Sequence, residues 1–200
     1  MKKPTRAERA LQTYQALLDA AAEVAGKYGY AATSIAKVTE TAGVSQGAFY
    51  NYITHRQALF ELLLPYVGQR MIDEIATAIP KELSGAEREV ARFRAYCRFL
   101  ERNPGFYRIL YEAEVFAPST YREHMNRTAR GFRRSLERSL AASNVNDIAD
   151  GELDALVHAL LGARAYIAMR YREGMTILES AIRGYGRLVN QGLFSAQAKT

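Results

Sequence analysis

Gln46, Gly47 and Ala48 stand side by side after Ser45, and Tyr50, Asn51, Tyr52 and Arg56 follow close behind. Their side chains suit the reading of a DNA duplex. A glutamine amide pairs bidentately with the edge of adenine, and an alanine methyl meets the methyl of thymine. Tyrosine hydroxyls, an asparagine amide and a guanidinium donate to phosphate oxygens. A glycine among them keeps a helical turn slim where it must approach another surface. The same residues also suit a half-buried helix in a protein that never meets DNA, and spacing alone leaves both readings open.

No competing chemistry is visible. There is no nucleophile beside a base, no phosphate-binding loop and no metal-ligand cluster, so an enzyme has no support. His124 and His158 lie far apart in sequence without a carboxylate group around them, so neither a metal nor another cofactor is expected. The single cysteine, Cys97, rules out an internal disulfide and reads first as a small core residue. The chain has 200 residues and a net charge of +6, which favours a polyanionic partner without specifying one. MKKPTRAER at the start has no apolar stretch behind it, and no run reaches the roughly 20 apolar residues of a membrane span. A soluble, cytoplasmic protein with no membrane partner is expected.

The elements that must position these residues are helical. Leu11, Tyr14, Leu18, Ala21, Ala25 and Tyr28 recur every three or four residues, between a Thr5/Glu8 capping box and Gly29. A short helix capped by Thr33 or Ser34 stops at Gly43, and Ser45 caps a third through about Tyr52. The Thr54/Gln57 pair opens a long helix from about His55 to Ile79, with Pro65 expected to kink it. Further helices are expected from the Ser84/Glu87 pair to about Arg102 and from Phe106 to Ala113. Three more run from the Thr120/Glu123 pair to Ala142, from Asp150 to Arg172, and from Thr176 to Gln191. No segment alternates as a strand does. The expected fold is all-α, with about nine helices. Residues 1–56 make a three-helix helix-turn-helix domain and residues 57–200 a helical ligand-binding and dimerisation bundle. The packing boundary is expected within the fourth helix, near Pro65.

Two short helices joined by Ala42-Gly43-Val44-Ser45, behind a longer one, make a helix-turn-helix shape. Thr33-Ser34-Ile35 through Ser45, then Gly47-Ala48-Phe49-Tyr50-Asn51-Tyr52 and Ala58-Leu59, resemble the DNA-binding signature of the tetracycline-repressor-like (TetR) family. The motif covers about residues 7 to 60. The resemblance implies a homodimeric transcriptional regulator, usually a repressor, that a small molecule releases from its operator. By position it implies phosphate contacts for Thr33, Tyr50, Tyr52 and Arg56, and base reading for Gln46, Gly47 and Ala48. Thr39 stands where the family usually has alanine. Ile53, Thr54 and Arg56 replace a usual phenylalanine, proline and lysine.

The rest of the chain is less specific. A dimer would place two reading helices on successive major-groove faces. The apolar stripes of the last two helices, Leu153, Val157, Leu160 and Leu161 with Ile182, Tyr185, Leu188 and Val189, suit a four-helix interface or plain core. Aromatics crowd the middle helices. Phe93, Tyr96, Cys97, Tyr107, Tyr111 and Met125, with His158 and Arg164 as polar contacts, are candidates to line a site for an apolar or aromatic effector. Arg164 on an apolar stripe needs a partner, either a ligand carboxylate or one of Glu112, Glu114 and Asp154. Arg127, Arg130, Arg134 and Arg138 form a stripe that could meet a polyphosphate-bearing effector such as an acyl-CoA. A solvated face balanced by nearby glutamates is the plainer reading. Two other functions stay open: an activator of the same family, and a helical protein-interaction module using the last helices.

Overall fold

The computed structural model describes residues 5–143, 148–170 and 179–194, which form nine helices and no strand. They are α1 (Arg6–Tyr28), α2 (Ile35–Ala42), α3 (Gln46–Tyr50), α4 (Arg56–Ala78), α5 (Gly85–Arg102), α6 (Phe106–Phe116), α7 (Pro118–Ala142), α8 (Asp150–Arg170) and α9 (Glu179–Gly192). The order and number match the periodicity of the sequence. The expected Thr176 start of the last helix lies outside the described residues.

The caps explain several boundaries. Thr5 and Glu8 form a full capping box: the Glu8 amide donates to Thr5 Oγ1 at 3.2 Å and the Thr5 amide to Glu8 Oε2 at 2.6 Å. Ser34 and Ser45 cap α2 and α3 through the amides of Lys37 and Ala48. Three expected boxes are not built. At α4 the cap is His55, whose Nδ1 accepts from the Ala58 amide at 3.0 Å, and Gln57 reaches the Phe116 carbonyl instead of Thr54. At α5 the Ser84 side chain makes no capping bond, because Gly85 enters the helix with φ 50 and turns the chain away from it. At α7 the helix begins at Pro118, whose missing amide costs nothing in a first turn, so Thr120 lies inside it. α4 runs on through Pro65, and α6 continues one turn past Ala113.

The helices pack into two compact units. The first comprises residues 1–70 and 104–124, the second residues 71–103 and 125–200. A cut after residue 56 delimits the motif, whereas packing continues through α4 as far as Arg70 and gathers in α6. Two features explain why α6 joins the first unit. Gly26 on α1 and Gly105 before α6 meet backbone to backbone: a Cβ on Gly26 would lie 2.9 Å from the Gly105 Cα. Tyr30, Phe60 and Phe116 form one ring cluster, with Tyr30 stacked on Phe116 at 5.6 Å and edge-on to Phe60 at 4.8 Å. Leu17, Leu18, Ala21, Val24, Val38, Phe49, Ile53, Leu59 and Leu63 complete that core.

In the second unit α5 packs on α8 and α9. Phe93, Phe99, Phe132, Leu136, Leu153, Val157, Leu160, Ile182 and Val189 are buried there. Much of the stripe expected at a dimer interface is therefore intrachain core.

Candidate nucleic-acid interface

The turn between α2 and α3 is set by Gly43, which takes the left-handed conformation at φ 67 and ψ 30 with little steric cost. The Val44 amide then bonds to the Thr39 carbonyl at 3.0 Å and fixes the crossing. Thr39, in the place of a usual alanine, is buried and turns its hydroxyl back on its own helix, to Ile35 O at 2.9 Å and Ala36 O at 3.0 Å. Its polar group is thus satisfied within α2.

α3 is two-sided. Phe49 is fully buried and anchors the helix on the core. Ser45, Gln46, Gly47, Tyr50 and Asn51 are exposed, and Ala48 is half-buried. Tyr50 is 53% exposed, its ring meeting Phe49 edge-on. Tyr52 is half-buried and leans on Tyr14 of α1, with ring centroids 6.3 Å apart. A Cβ built on Gly47 would meet only Ser45 Oγ, at 3.9 Å. Nothing inside the protein needs a glycine there.

Comparison with known proteins adds to this geometry. Residues 17–63 match the model of the family described as "Bacterial regulatory proteins, tetR family". Those residues are thus similar to the DNA-binding part of that family. The match spans the end of α1, the helix-turn-helix pair and the start of α4. A nucleoid occlusion factor, SlmA of Vibrio vulnificus, is 28% identical over 126 residues, 62% of this chain and 61% of that protein. The chain therefore spans less than two thirds of that relative. The A-factor receptor protein of Streptomyces griseus is 31% identical over 78 residues, 39% of this chain and 25% of the receptor. Among solved structures, the fatty acid degradation regulator FadR of Bacillus halodurans superposes with a TM-score of 0.77 at 15% identity, covering 98% of this chain and all of that one. A TetR-like transcriptional regulator from a Rhodococcus species gives 0.70 at 23% identity, covering 97% and 100%. The fold of such regulators thus extends over nearly the whole chain.

Two residues with implied phosphate contacts make other contacts in the first unit. Thr33 is fully buried. Its hydroxyl donates to Gly29 O at 2.7 Å and its amide to Tyr30 O at 3.1 Å, so neither group faces outward. Arg56 donates to three carbonyls of the α1–α2 loop, those of Tyr30, Ala31 and Thr33, and lies over the Phe60 ring at 4.9 Å. Glu112 of α6 holds the same loop by accepting from the Tyr30 amide at 2.7 Å. No sequence pattern marks Glu112 for this role, because its partner is a backbone amide 82 residues away.

The effector candidates fall in both units. Tyr107 and Tyr111 belong to the first unit, where their rings stack 5.6 Å apart, Tyr107 buried and Tyr111 exposed. Phe93 and Cys97 are buried in the second unit, Tyr96 is half-buried, and Met125 and His158 are exposed. Arg164 is buried and pairs with Glu89, not with the acids suggested by sequence: its Nη2 lies 2.7 Å from Glu89 Oε2. Its Nε donates to Tyr185 OH at 2.8 Å, and its guanidinium lies over Phe132 at 4.4 Å. Arg92 approaches the other Glu89 oxygen at 3.3 Å and bonds to Ser135 Oγ. Burial and the neighbouring arginines Arg164, Arg88 and Arg138 lower the Arg92 pKa, while Glu89 opposes them. Burial pushes the Cys97 thiol up to about 12, so it is no thiolate nucleophile at neutral pH.

Proposed function

We propose that this protein is a sequence-specific transcriptional regulator that reads a duplex operator with α3. The observation that carries the reading is the outer face of α3: Gln46, Gly47 and Tyr50 stand exposed on a helix anchored by Phe49, and Gly47 faces open space. In this arrangement Gln46 and Ala48 read base edges, and Gly47 allows the first turn to come close. Ser45, Tyr50, Asn51 and Tyr52 hold phosphates. Arg56 and Thr33 brace the loop behind them. The tetR-family match of residues 17–63 supports DNA binding by this domain.

The regulator acts in the cytoplasm as a homodimer and as a repressor released by a small apolar or aromatic effector. Tyr166 and Leu188, 61% and 59% exposed on α8 and α9, offer apolar surface to a second copy. The similar fold of a fatty acid degradation regulator fits an apolar effector.

Fluorescence anisotropy on an operator and on single-base variants of it tests the base-reading role. Gln46→Ala should alter preference at one base pair by roughly 1–3 kcal/mol, and Tyr50→Ala should weaken all duplexes alike. Equal effects of both substitutions on every sequence contradict the assignment.

A further inference from the structure

Arg127, Arg130, Arg134 and Arg138 are all exposed on α7. Among the described residues none of them makes an ion pair, hydrogen bond or ring contact. At 3.6 residues per turn the four fall within an arc of about 80°, and their backbone positions span about 17 Å of helix axis. Each sits three or four residues from the next, an arrangement of like charges that weakens a helix. Two glutamates lie near the face, and neither pairs with these arginines. Glu137 is bonded to Arg133, which also takes Asp150 and Asp154. Glu123, one turn ahead of Arg127, forms no ion pair with it.

The chemistry of the face narrows the partner. The exposed positions beside the arginines are Arg122, Glu123, Asn126, Ala141 and Ala142, with Met125 at one end, so there is no apolar centre for a protein interface. The apolar face of α7, Phe132, Leu136 and Leu140, is buried and has nothing to insert into a bilayer. No aromatic ring on the exposed side would stack a nucleotide base. What remains is a row of guanidiniums at steps of about 5–6 Å. Such a row complements a regular line of phosphates, and each guanidinium fork grips a phosphate bidentately.

We propose that this ridge holds the phosphate backbone of duplex DNA, as a sequence-independent contact separate from the α3 reader. A strand of B-DNA carries a phosphate about every 3.4 Å of axis, so the ridge passes several of them. The contact goes beyond base reading and fails or succeeds independently of it.

The test compares the wild type with the quadruple variant Arg127→Gln/Arg130→Gln/Arg134→Gln/Arg138→Gln, on random and operator duplexes across about 50–200 mM salt. Substitution removes the like-charge repulsion, so the helix should stay folded, as circular dichroism will report. The slope of log affinity against log salt should become shallower by about 0.9 for each phosphate no longer neutralised, about 2 to 4 in total, with base preference intact. An unchanged slope overturns the proposal. So does an unchanged slope accompanied by weaker binding to phosphatidylserine vesicles, which would assign the ridge to a membrane surface. If the wild type shows no preference among sequences but the variant still lowers the slope, the α3 reading fails and the ridge stands.

Discussion

Arg56 Nε donates to the carbonyl oxygen of Thr33 at 2.6 Å, across 23 residues of chain. Its Nη2 donates to the Tyr30 and Ala31 carbonyls at 2.8 and 2.7 Å, so one guanidinium closes the start of α4 onto the loop that begins α2. This staple sets the angle at which the helix-turn-helix pair is presented. Arg56→Met should destabilise the first unit by about 1–3 kcal/mol, read by urea denaturation. Arg56→Lys should restore little, since an ammonium cannot reproduce the planar fork. The salt slope of DNA binding should hold in both variants. A drop of about one in that slope would return Arg56 to the phosphate contacts.

Gly47→Ala separates folding from binding. The added methyl meets no atom of the protein closer than 3.9 Å. Alanine is also the better helix former by about 0.5–1 kcal/mol. Thermal stability should therefore hold or rise, while affinity for a specific duplex falls at least about tenfold, or about 1.4 kcal/mol. Unchanged affinity would mean that α3 does not press against DNA at this turn.

Glu89 is the only acid that Arg92 and Arg164 pair with among the described residues, and it is fully buried. Glu89→Gln leaves the buried Arg164 and the partly buried Arg92 guanidiniums without a counter-charge and should cost about 3–5 kcal/mol. The double change Glu89→Met/Arg164→Met should cost much less than the sum of the single changes, because it removes the buried pair together. A thermodynamic cycle in denaturant measures this coupling, and additive single effects would show that the pair is not coupled.

Alkaline pH should unfold the second unit before it harms the charged surface. Cys97 has its thiol pKa pushed from 9.0 to about 12, chiefly by burial and then by Glu101. Burial likewise raises Tyr185, against the pull of Arg164. A group whose pKa is raised by folding favours the native state fully below its unfolded pKa. That advantage is lost as the pH climbs toward the folded value. Stability should stay level to about pH 8.5 and then fall by up to about 1.4 kcal/mol per pH unit from the thiol alone. Labelling of Cys97 at pH 8 should wait for unfolding. Rapid labelling of the native protein would contradict its buried state.

What could be read from the sequence follows the range of the interactions. Helix number, the Thr5/Glu8 box and the turn at Gly43 rest on contacts within a few residues, and they appear as expected. The inward position of Phe49 follows from helical period alone. Boundary details failed where a local pattern met a stronger alternative. His55 displaced Thr54 as the cap of α4, and Pro118 started α7 before Thr120 could. The roles of Thr33, Arg56 and Glu112 lie in backbone bonds across the loop, which side-chain patterns do not encode. Arg164 announced that it needed a partner, yet Glu89 lies 75 residues away and only tertiary packing selects it. For the aromatic effector candidates, helical period marks apolar positions and does not distinguish a cavity wall from filled core.

The most direct measurement is selection of bound duplexes from a random library by the purified, nucleic-acid-free protein, with the Gln46→Ala variant run beside it. The expected result is one enriched palindromic motif, its half-sites about 10 base pairs apart or a multiple of that, and a change confined to a symmetric pair of positions in the variant. Recovery of no motif, or of the same motif with both proteins, would contradict base reading by α3.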